Sequence, residues 1–212
     1  MTPEQLAAAR DRTLADIIGP GLRVLFCGIN PGLMSAWTGH HFARPGNRFW
    51  PALHASGFTP RRFLPAEQQE MPALGLGITN VAPRATARAD ELTREELIAG
   101  GALLTAKVET FRPAWLAVLG VTAYRVAFGD KDAQVGPQER RIGGTRIWAL
   151  PSPSGLNAHW SPATLAEEFA RLRAAAFADV GADGAVDVVT GDAVTGTASA
   201  APGGVALAEA DG

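Results

Sequence analysis

Residues 23–50 read RVLFCGINPGLMSAWTGHHFARPGNRFW, and the fold turns on how this stretch begins. Val24-Leu25-Phe26-Cys27 is a short apolar run with the β-branched and aromatic content of a buried strand. It breaks into Gly28-Ile29-Asn30-Pro31-Gly32, a polar amide set among two glycines and a proline. Glycine lets a backbone come close to a ligand, and Pro31 turns Asn30 away from helical conformation. In open α/β sheets, ligands bind beyond the carboxyl ends of the strands. Asn30 is therefore the first residue expected to touch a substrate.

Strand and helix signals alternate on both sides of this stretch. Before it, apolar residues recur at helical spacing over residues 4–17, and Gly19-Pro20-Gly21 ends that pattern. Arg23–Gly28 is the first strand, and Ile29–Pro45 is a long Gly- and aromatic-rich loop of the kind that carries function. Asn47 is placed to cap a helix running to Ser56, and residues 60–72 are irregular or short helix. Leu74–Thr79 is extended, and Asn80–Glu91 is a second loop. Thr93 with Glu96 makes a capping box that opens a helix to Phe111. Trp115–Leu119 is a clear buried strand, Thr122–Phe128 a helix, and Gly129–Gly144 a polar loop with a short hairpin. Thr145–Leu150 is the last strand, followed by the Pro- and Ser-rich loop Pro151–Trp160. Ser161-Pro162 then starts a helix to Phe177. The alternation predicts an α/β sandwich with a mainly parallel central sheet.

Composition narrows the function. The chain has 212 residues and 47% apolar content, enough for one domain with a sizeable core. No apolar run approaches the roughly 20 residues of a membrane span, and the N-terminus has no signal-peptide pattern. Cys27 is the single cysteine, which leaves no internal disulfide and no zinc spacing. The expected location is cytoplasmic and nucleoid-associated, and the expected state is monomeric. The net charge is −2, but six of the 21 acidic residues and none of the 19 basic ones lie beyond residue 178. The first 178 residues thus carry +4 and the remainder −6. Lys occurs only at 107 and 131, so Arg dominates the positive charge. Arg suits bidentate phosphate contacts, and a modestly positive body permits DNA binding without requiring it. Residues 179–212 lack aromatic and basic side chains and are read as a disordered acidic tail to a domain spanning 1–178.

Two loops now stand out, one carrying Asn30 and one reading Pro151-Ser152-Pro153-Ser154-Gly155-Leu156-Asn157-Ala158-His159. If both preceding strands are parallel, both loops lie at one edge of the sheet. GINPGLMSAWTGHHFARPGNRFW, followed by a strand ending in LPSPSGL, resembles the mismatch-specific uracil-DNA and thymine-DNA glycosylases, family 2 of the uracil-DNA glycosylase superfamily. TNVAPRATARADELTREELIAGG, residues 79–101, is similar to that family's middle segment.

The resemblance implies a monofunctional glycosylase with a three-layer α/β/α fold. Such an enzyme hydrolyses the N-glycosidic bond of uracil, and in some members thymine or ethenocytosine, opposite guanine. The base is flipped out of the duplex first, because the bond is unreachable in the stack. The implied partner is double-stranded DNA with a damaged or mismatched pyrimidine, with single-stranded DNA also open; no membrane and no cofactor or metal is implied. By matching position, Asn30 would hold the attacking water, and Ile29 and Phe42 would lie against the faces of the flipped pyrimidine. Ser154-Gly155-Leu156 would form the wedge, with Leu156 filling the vacated space in the stack.

The chemistry extends these roles. Glycosidic cleavage creates an oxocarbenium-like sugar and an anionic base. Backbone N–H groups near Gly32 and the Asn80 amide are suitable donors to base carbonyls. An amide orients water but hardly deprotonates it, so Asp90 is a candidate to assist, its alternative being a solvated loop acid. His41 faces either the pocket or a phosphate, or is a structural loop histidine. Ser35 is placed to tune access for a 5-methyl group, and Arg44, Arg48 and Arg84 are candidate phosphate contacts, their alternative being solvated surface. Two positions depart from the family pattern: Ser152 stands where bacterial members often have Asn, and Asn157-Ala158 where some have Arg. Contact to the unpaired guanine would then come from backbone groups or Asn157. A noncatalytic mismatch-binding module of the same fold is the alternative. A nucleotide-binding protein is disfavoured, because Walker and GxGxxG spacings are absent.

Overall fold

The computed structural model of the chain describes residues 2–10 and 12–178. The acidic segment 179–212 lies outside the described residues. Among the described residues, five strands and six helices follow in the order α1 (Pro3–Arg10), β1 (Val24–Gly28), α2 (Leu33–Thr38), α3 (Phe49–Ala55), β2 (Leu76–Asn80), α4 (Arg94–Phe111), β3 (Trp115–Leu119), α5 (Val121–Phe128), β4 (Gly136–Ile142), β5 (Thr145–Leu150) and α6 (Pro162–Phe177). Short 3-10 turns lie at Pro65–Glu70, Pro72–Leu74 and Ala89–Glu91.

One sheet runs through the molecule in the order β2-β1-β3-β5-β4. β2, β1, β3 and β5 are parallel, and β4 joins the edge antiparallel to β5. β1 and β3 are buried along their whole length, which explains their unbroken apolar sequence: a strand covered on both faces has no polar side to show. Successive side chains of β1 feed opposite layers. Val24 and Phe26 join Phe49, Leu53 and Phe169 from α3 and α6. Leu25 and Cys27 join Leu104, Val108 and Tyr124 from α4 and α5. Phe26 is the hub of the first layer, edge-on to Phe49 and Phe58 at 5.4 and 5.3 Å and stacked on Phe169 at 5.9 Å. The three-layer α/β/α sandwich follows directly from this alternation.

Local signals account for most element ends. Thr93 accepts a hydrogen bond from the Glu96 N–H at 3.1 Å, and the Glu96 carboxylate accepts from the Thr93 N–H at 2.8 Å. Ser161 caps α6 by accepting from Thr164. The cap of α3 falls on Arg48 and not on the expected Asn47, which sits one residue earlier and accepts from the Phe49 N–H at 2.9 Å.

Two expectations are corrected. The helix expected over residues 4–17 ends at Arg10. Ile17 instead forms an antiparallel bridge with Ile78, exchanging two hydrogen bonds of 2.8 Å. The segment covers the exposed edge of β2, which would otherwise present unpaired backbone groups. It is held there by Thr79, which donates to Asp16 at 2.7 Å, and by the Lys107–Asp16 ion pair at 2.5 Å. The apolar spacing thus arose from residues that serve two different places. The second correction is α2, which forms inside the expected loop Ile29–Pro45 because Leu33 and Ala36 bury against Ala9 and Ala85. Among the described residues no helix is long and apolar enough to cross a membrane.

Candidate active site

Because β1, β2, β3 and β5 are parallel, the loops after them share one edge of the sheet. Together they enclose a cleft of about 350 Å³. Its floor is the carboxyl end of β1, where the sheet surface gives way to Ile29 and Asn30.

Asn30 is fixed by the loop after β2. Its Nδ2 donates to the Arg84 carbonyl at 2.8 Å and to the Thr86 hydroxyl at 2.7 Å. The Thr86 hydroxyl in turn donates to the Arg88 carbonyl at 2.7 Å. Its one proton is thereby spent, and toward Asn30 it can only accept. Both partners of Nδ2 are acceptors, so the amide has one possible sense, and Oδ1, which accepts no hydrogen bond among the described residues, is left as an acceptor on a residue that lines the cleft. Backbone bonds support the arrangement: the Thr86 N–H donates to Pro31 at 3.1 Å, and the Leu33 N–H donates to Thr86 at 3.2 Å. Thr86 is buried, lines the cleft, and was not singled out from sequence.

Gly28 makes room for the rest of the floor. A Cβ there would sit 2.6 Å from Asn80 Oδ1 and 3.4 Å from the edge of the Phe42 ring. The Asn80 side chain, which makes no hydrogen bond among the described residues, therefore lies against bare backbone and lines the cleft. Phe42 has φ of +54°, a conformation that bulky side chains rarely adopt. One ring face stacks on Phe49 at 4.1 Å between centroids, and the ring lines the cleft. Ile29 also lines the cleft, its Cδ1 lodged against Gly120 at the end of β3. Gly32 sits at the start of α2 and pairs in parallel with Thr86. Ser35 lines the wall, and its hydroxyl oxygen accepts from the Ala43 N–H at 3.1 Å.

His41 is a wall residue, only 1% exposed, and cannot reach a phosphate outside. Its Nε2 faces the Ala15 carbonyl at 3.0 Å and so carries the proton. Its backbone N–H donates to Gln68 at 2.7 Å, and its carbonyl accepts from Trp50 at 3.1 Å. Burial holds its pKa below the ordinary histidine value, so the ring is neutral.

The rim is built differently. Asp90 lies in the turn Ala89–Glu91 with its side chain 63% exposed. It receives two hydrogen bonds from Arg88, at 3.0 and 2.5 Å. Those bonds hold its carboxyl below the usual carboxylate range. Arg84 points away from the mouth: it forks onto Glu96 at 2.6 and 2.9 Å and reaches the Glu91 carbonyl at 2.9 Å. The same contact pulls the Glu96 carboxyl down to about 2. Arg84 braces its own loop, and with it the carbonyl that holds Asn30. Arg44 lines the cleft mouth and makes no ion pair among the described residues, leaving it open to an anion.

The loop after β5 completes the cleft through Ser152, Pro153, Ser154 and Leu156. Leu156 is 71% exposed at its tip. Ser152 Oγ accepts from the Ser154 N–H at 3.4 Å, and Ser154 Oγ from the Leu156 N–H at 3.3 Å. Asn157 turns inward, donating to the Ser152 carbonyl at 3.0 Å and accepting from the His159 N–H at 3.3 Å. Its side chain is thus committed to the loop rather than presented to a facing base. Arg48 also turns inward, to the carbonyls of Ser154, Asn157 and Trp160, so it does not project toward a phosphate.

The fold and cleft define a class: a three-layer α/β/α protein with a fixed side-chain amide lining a small cleft at the carboxyl edge of its parallel sheet. A profile of the uracil DNA glycosylase superfamily matches residues 15–177. The chain belongs to the uracil DNA glycosylase superfamily. Among solved structures, the solution NMR structure of a candidate uracil DNA glycosylase from Methanosarcina acetivorans has the same fold, with a TM-score of 0.50 and 18% identity over 76% of this chain and 98% of that one.

Proposed function

We propose that the protein is a monofunctional DNA glycosylase of the mismatch-specific branch, which flips uracil out of a duplex and hydrolyses its N-glycosidic bond, leaving an abasic site. Thymine and ethenocytosine opposite guanine are further substrates to be tested. The observation that carries this reading is the Asn30 amide: its donor side is consumed by Arg84 and Thr86, and its oxygen, without a partner among the described residues, is available to a water in the cleft.

The steps follow from the lining. A flipped pyrimidine enters between Ile29 and the open face of Phe42, beside the unpaired Asn80 amide. Asn80 and backbone N–H groups near Gly32 stabilise the negative charge that develops on the base as the C1′–N bond breaks. Water held by Asn30 Oδ1 then bonds to C1′, and its proton leaves to solvent. Asn30 fixes the position of that water and lowers the entropic part of the barrier, without accepting its proton. Asp90, ionised by virtue of Arg88, contributes negative charge at the rim opposite a cationic sugar; its lowered pKa makes it a weak base. Leu156 fills the gap in the stack, and Arg44, at the cleft mouth and without an ion pair among the described residues, is placed to meet a phosphate.

The test is release of free base from otherwise identical oligonucleotides carrying uracil, thymine or ethenocytosine, opposite guanine or adenine and single-stranded, at enzyme excess. The reading expects uracil release from the guanine mispair with an alkali-labile abasic strand as product. Tight binding to mismatched DNA with no base released would instead select a noncatalytic binding module.

A further inference from the structure

Arg48 was a candidate phosphate ligand by sequence, yet its guanidinium is turned away from the cleft mouth. Its backbone N–H donates to the Pro153 carbonyl at 2.9 Å. Nη1 donates to the Trp160 carbonyl at 2.5 Å, and Nη2 to the carbonyls of Ser154 and Asn157 at 2.5 and 2.8 Å. One side chain therefore gathers carbonyls from across the whole loop after β5. Guanidinium is a rigid planar fork of donors with no acceptor, and hydrogen bonds from a charged donor are roughly twice as strong as neutral ones. Nε is buried without a partner among the described residues, so the loop carbonyls determine where the group sits. Backbone packing reinforces the clamp. A Cβ on Gly155 would come within 2.6 Å of the Gly46 carbonyl, so this loop lies directly on the turn that carries Arg48. The residue after Gly155 is Leu156, exposed at the loop tip.

We infer that Arg48 is the positioning residue of this loop, presetting Leu156 as a wedge before DNA arrives and thereby favouring duplex over single-stranded substrate. The inference rests on the glycosylase reading above. A wedge already in place needs no ordering on binding, and ordering costs affinity. Only a duplex needs it, because a base in single-stranded DNA has no partner and little stacking to give up. Arg48 touches neither the cleft floor nor the reacting atoms; it acts through the loop.

The experiment compares single-turnover uracil release from a U:G duplex and from the same uracil strand alone, for the full-length wild type, Arg48→Ala, Arg48→Lys and Leu156→Ala. The duplex-to-single-strand rate ratio is expected to fall at least about tenfold in Arg48→Ala, and to fall in Arg48→Lys as well, because an ammonium cannot span the carbonyls. Combining Arg48→Ala with Leu156→Ala should lower the ratio no further than either change alone. Backbone amide exchange supplies a readout independent of activity: in Arg48→Ala, the N–H groups of Leu156 and Asn157 should exchange faster while β1 and β3 stay protected. Equal losses on both substrates, additive effects with Leu156→Ala, or unchanged exchange in the loop would each overturn the inference. If the wild type released no uracil from either DNA, the glycosylase reading would fall, and the exchange result would still decide whether Arg48 orders the loop.

Discussion

Asn30 on the floor of the cleft and Asp90 on its rim are the two residues from which catalysis was expected, and they are held in opposite ways. Asn30 is gripped through its donor side by two acceptors from another loop, at 2.8 and 2.7 Å, with no exposed charge involved. Asp90 is held by a single neighbour two residues away, in an ion pair whose members are 71% and 63% exposed. Exposed ion pairs are worth little and yield readily to salt or a competing anion, whereas a half-buried amide with matched partners keeps its orientation. The difference teaches where the fold has committed itself. It builds a fixed amide acceptor and leaves the carboxylate adjustable.

That contrast can be broken by mutation. The largest effect is expected for Asn30→Ala, which should lower single-turnover uracil release by about 10²–10³-fold, the scale of losing one preorganised hydrogen-bonding group. Affinity for the same duplex, measured by fluorescence anisotropy, should change far less. An equal loss of rate and affinity would show that Asn30 binds rather than orients.

Asp90→Asn should cost less, under about tenfold, because a carboxylate with a lowered pKa is a poor proton acceptor. The sign of its pH dependence is set by Arg88. The folded carboxyl lies below its ordinary 3.8, so it is fully ionised throughout the assay range. The rate ratio of wild type to Asp90→Asn should therefore stay constant from about pH 5 to 8. A wild-type limb near neutrality that disappears in the variant would make Asp90 a true general base and reverse the comparison.

The smallest effect concerns the wall. His41 is neutral when folded, with a pKa below its ordinary 6.5 because of burial. The unfolded chain takes up the proton first as pH falls. Stability present above pH 6.5 is thus lost progressively as the pH drops toward the folded value. In His41→Gln, where an amide N–H can still donate to the Ala15 carbonyl, urea melts should show a flatter dependence between about pH 7.5 and 5. An unaltered slope would mean that another group controls it.

The parts of this molecule that could be read from sequence are those written by near neighbours. Val24–Gly28 announces a strand buried on both faces, and Thr93 with Glu96 closes a box across a single turn. The place of Asn30 in the cleft was legible because glycine and proline mark its turn. Thr86 was not, since its tie to Asn30 spans 56 positions and nothing in the local sequence around it signals a partner. Arg48 was misplaced for the same reason: a basic residue near a glycine turn suggests phosphate, but its carbonyl partners lie as far as 112 positions away. Ile17 misled differently. Its apolar spacing fits a helix, while its burial belongs to the edge of β2. Side-chain bonds to distant backbone leave no periodic trace, and these are what shape the cleft.

The claim at the centre of this account is that Thr86, together with the Arg84 carbonyl, holds the amide of Asn30 in place, and a double-mutant cycle tests it most directly. Single-turnover rates on a U:G duplex would be measured for wild type, Asn30→Ala, Thr86→Val and the double variant, with Thr86→Ser as the hydroxyl-retaining control. Thr86→Val is expected to slow release by about fivefold to tenfold, near the value of one hydrogen bond, and Thr86→Ser to restore most of it. In the Asn30→Ala background, Thr86→Val should then have almost no further effect, since residues acting as a unit are not additive. Full additivity of the two changes would contradict the account, because Thr86 would then be acting on something other than the amide of Asn30.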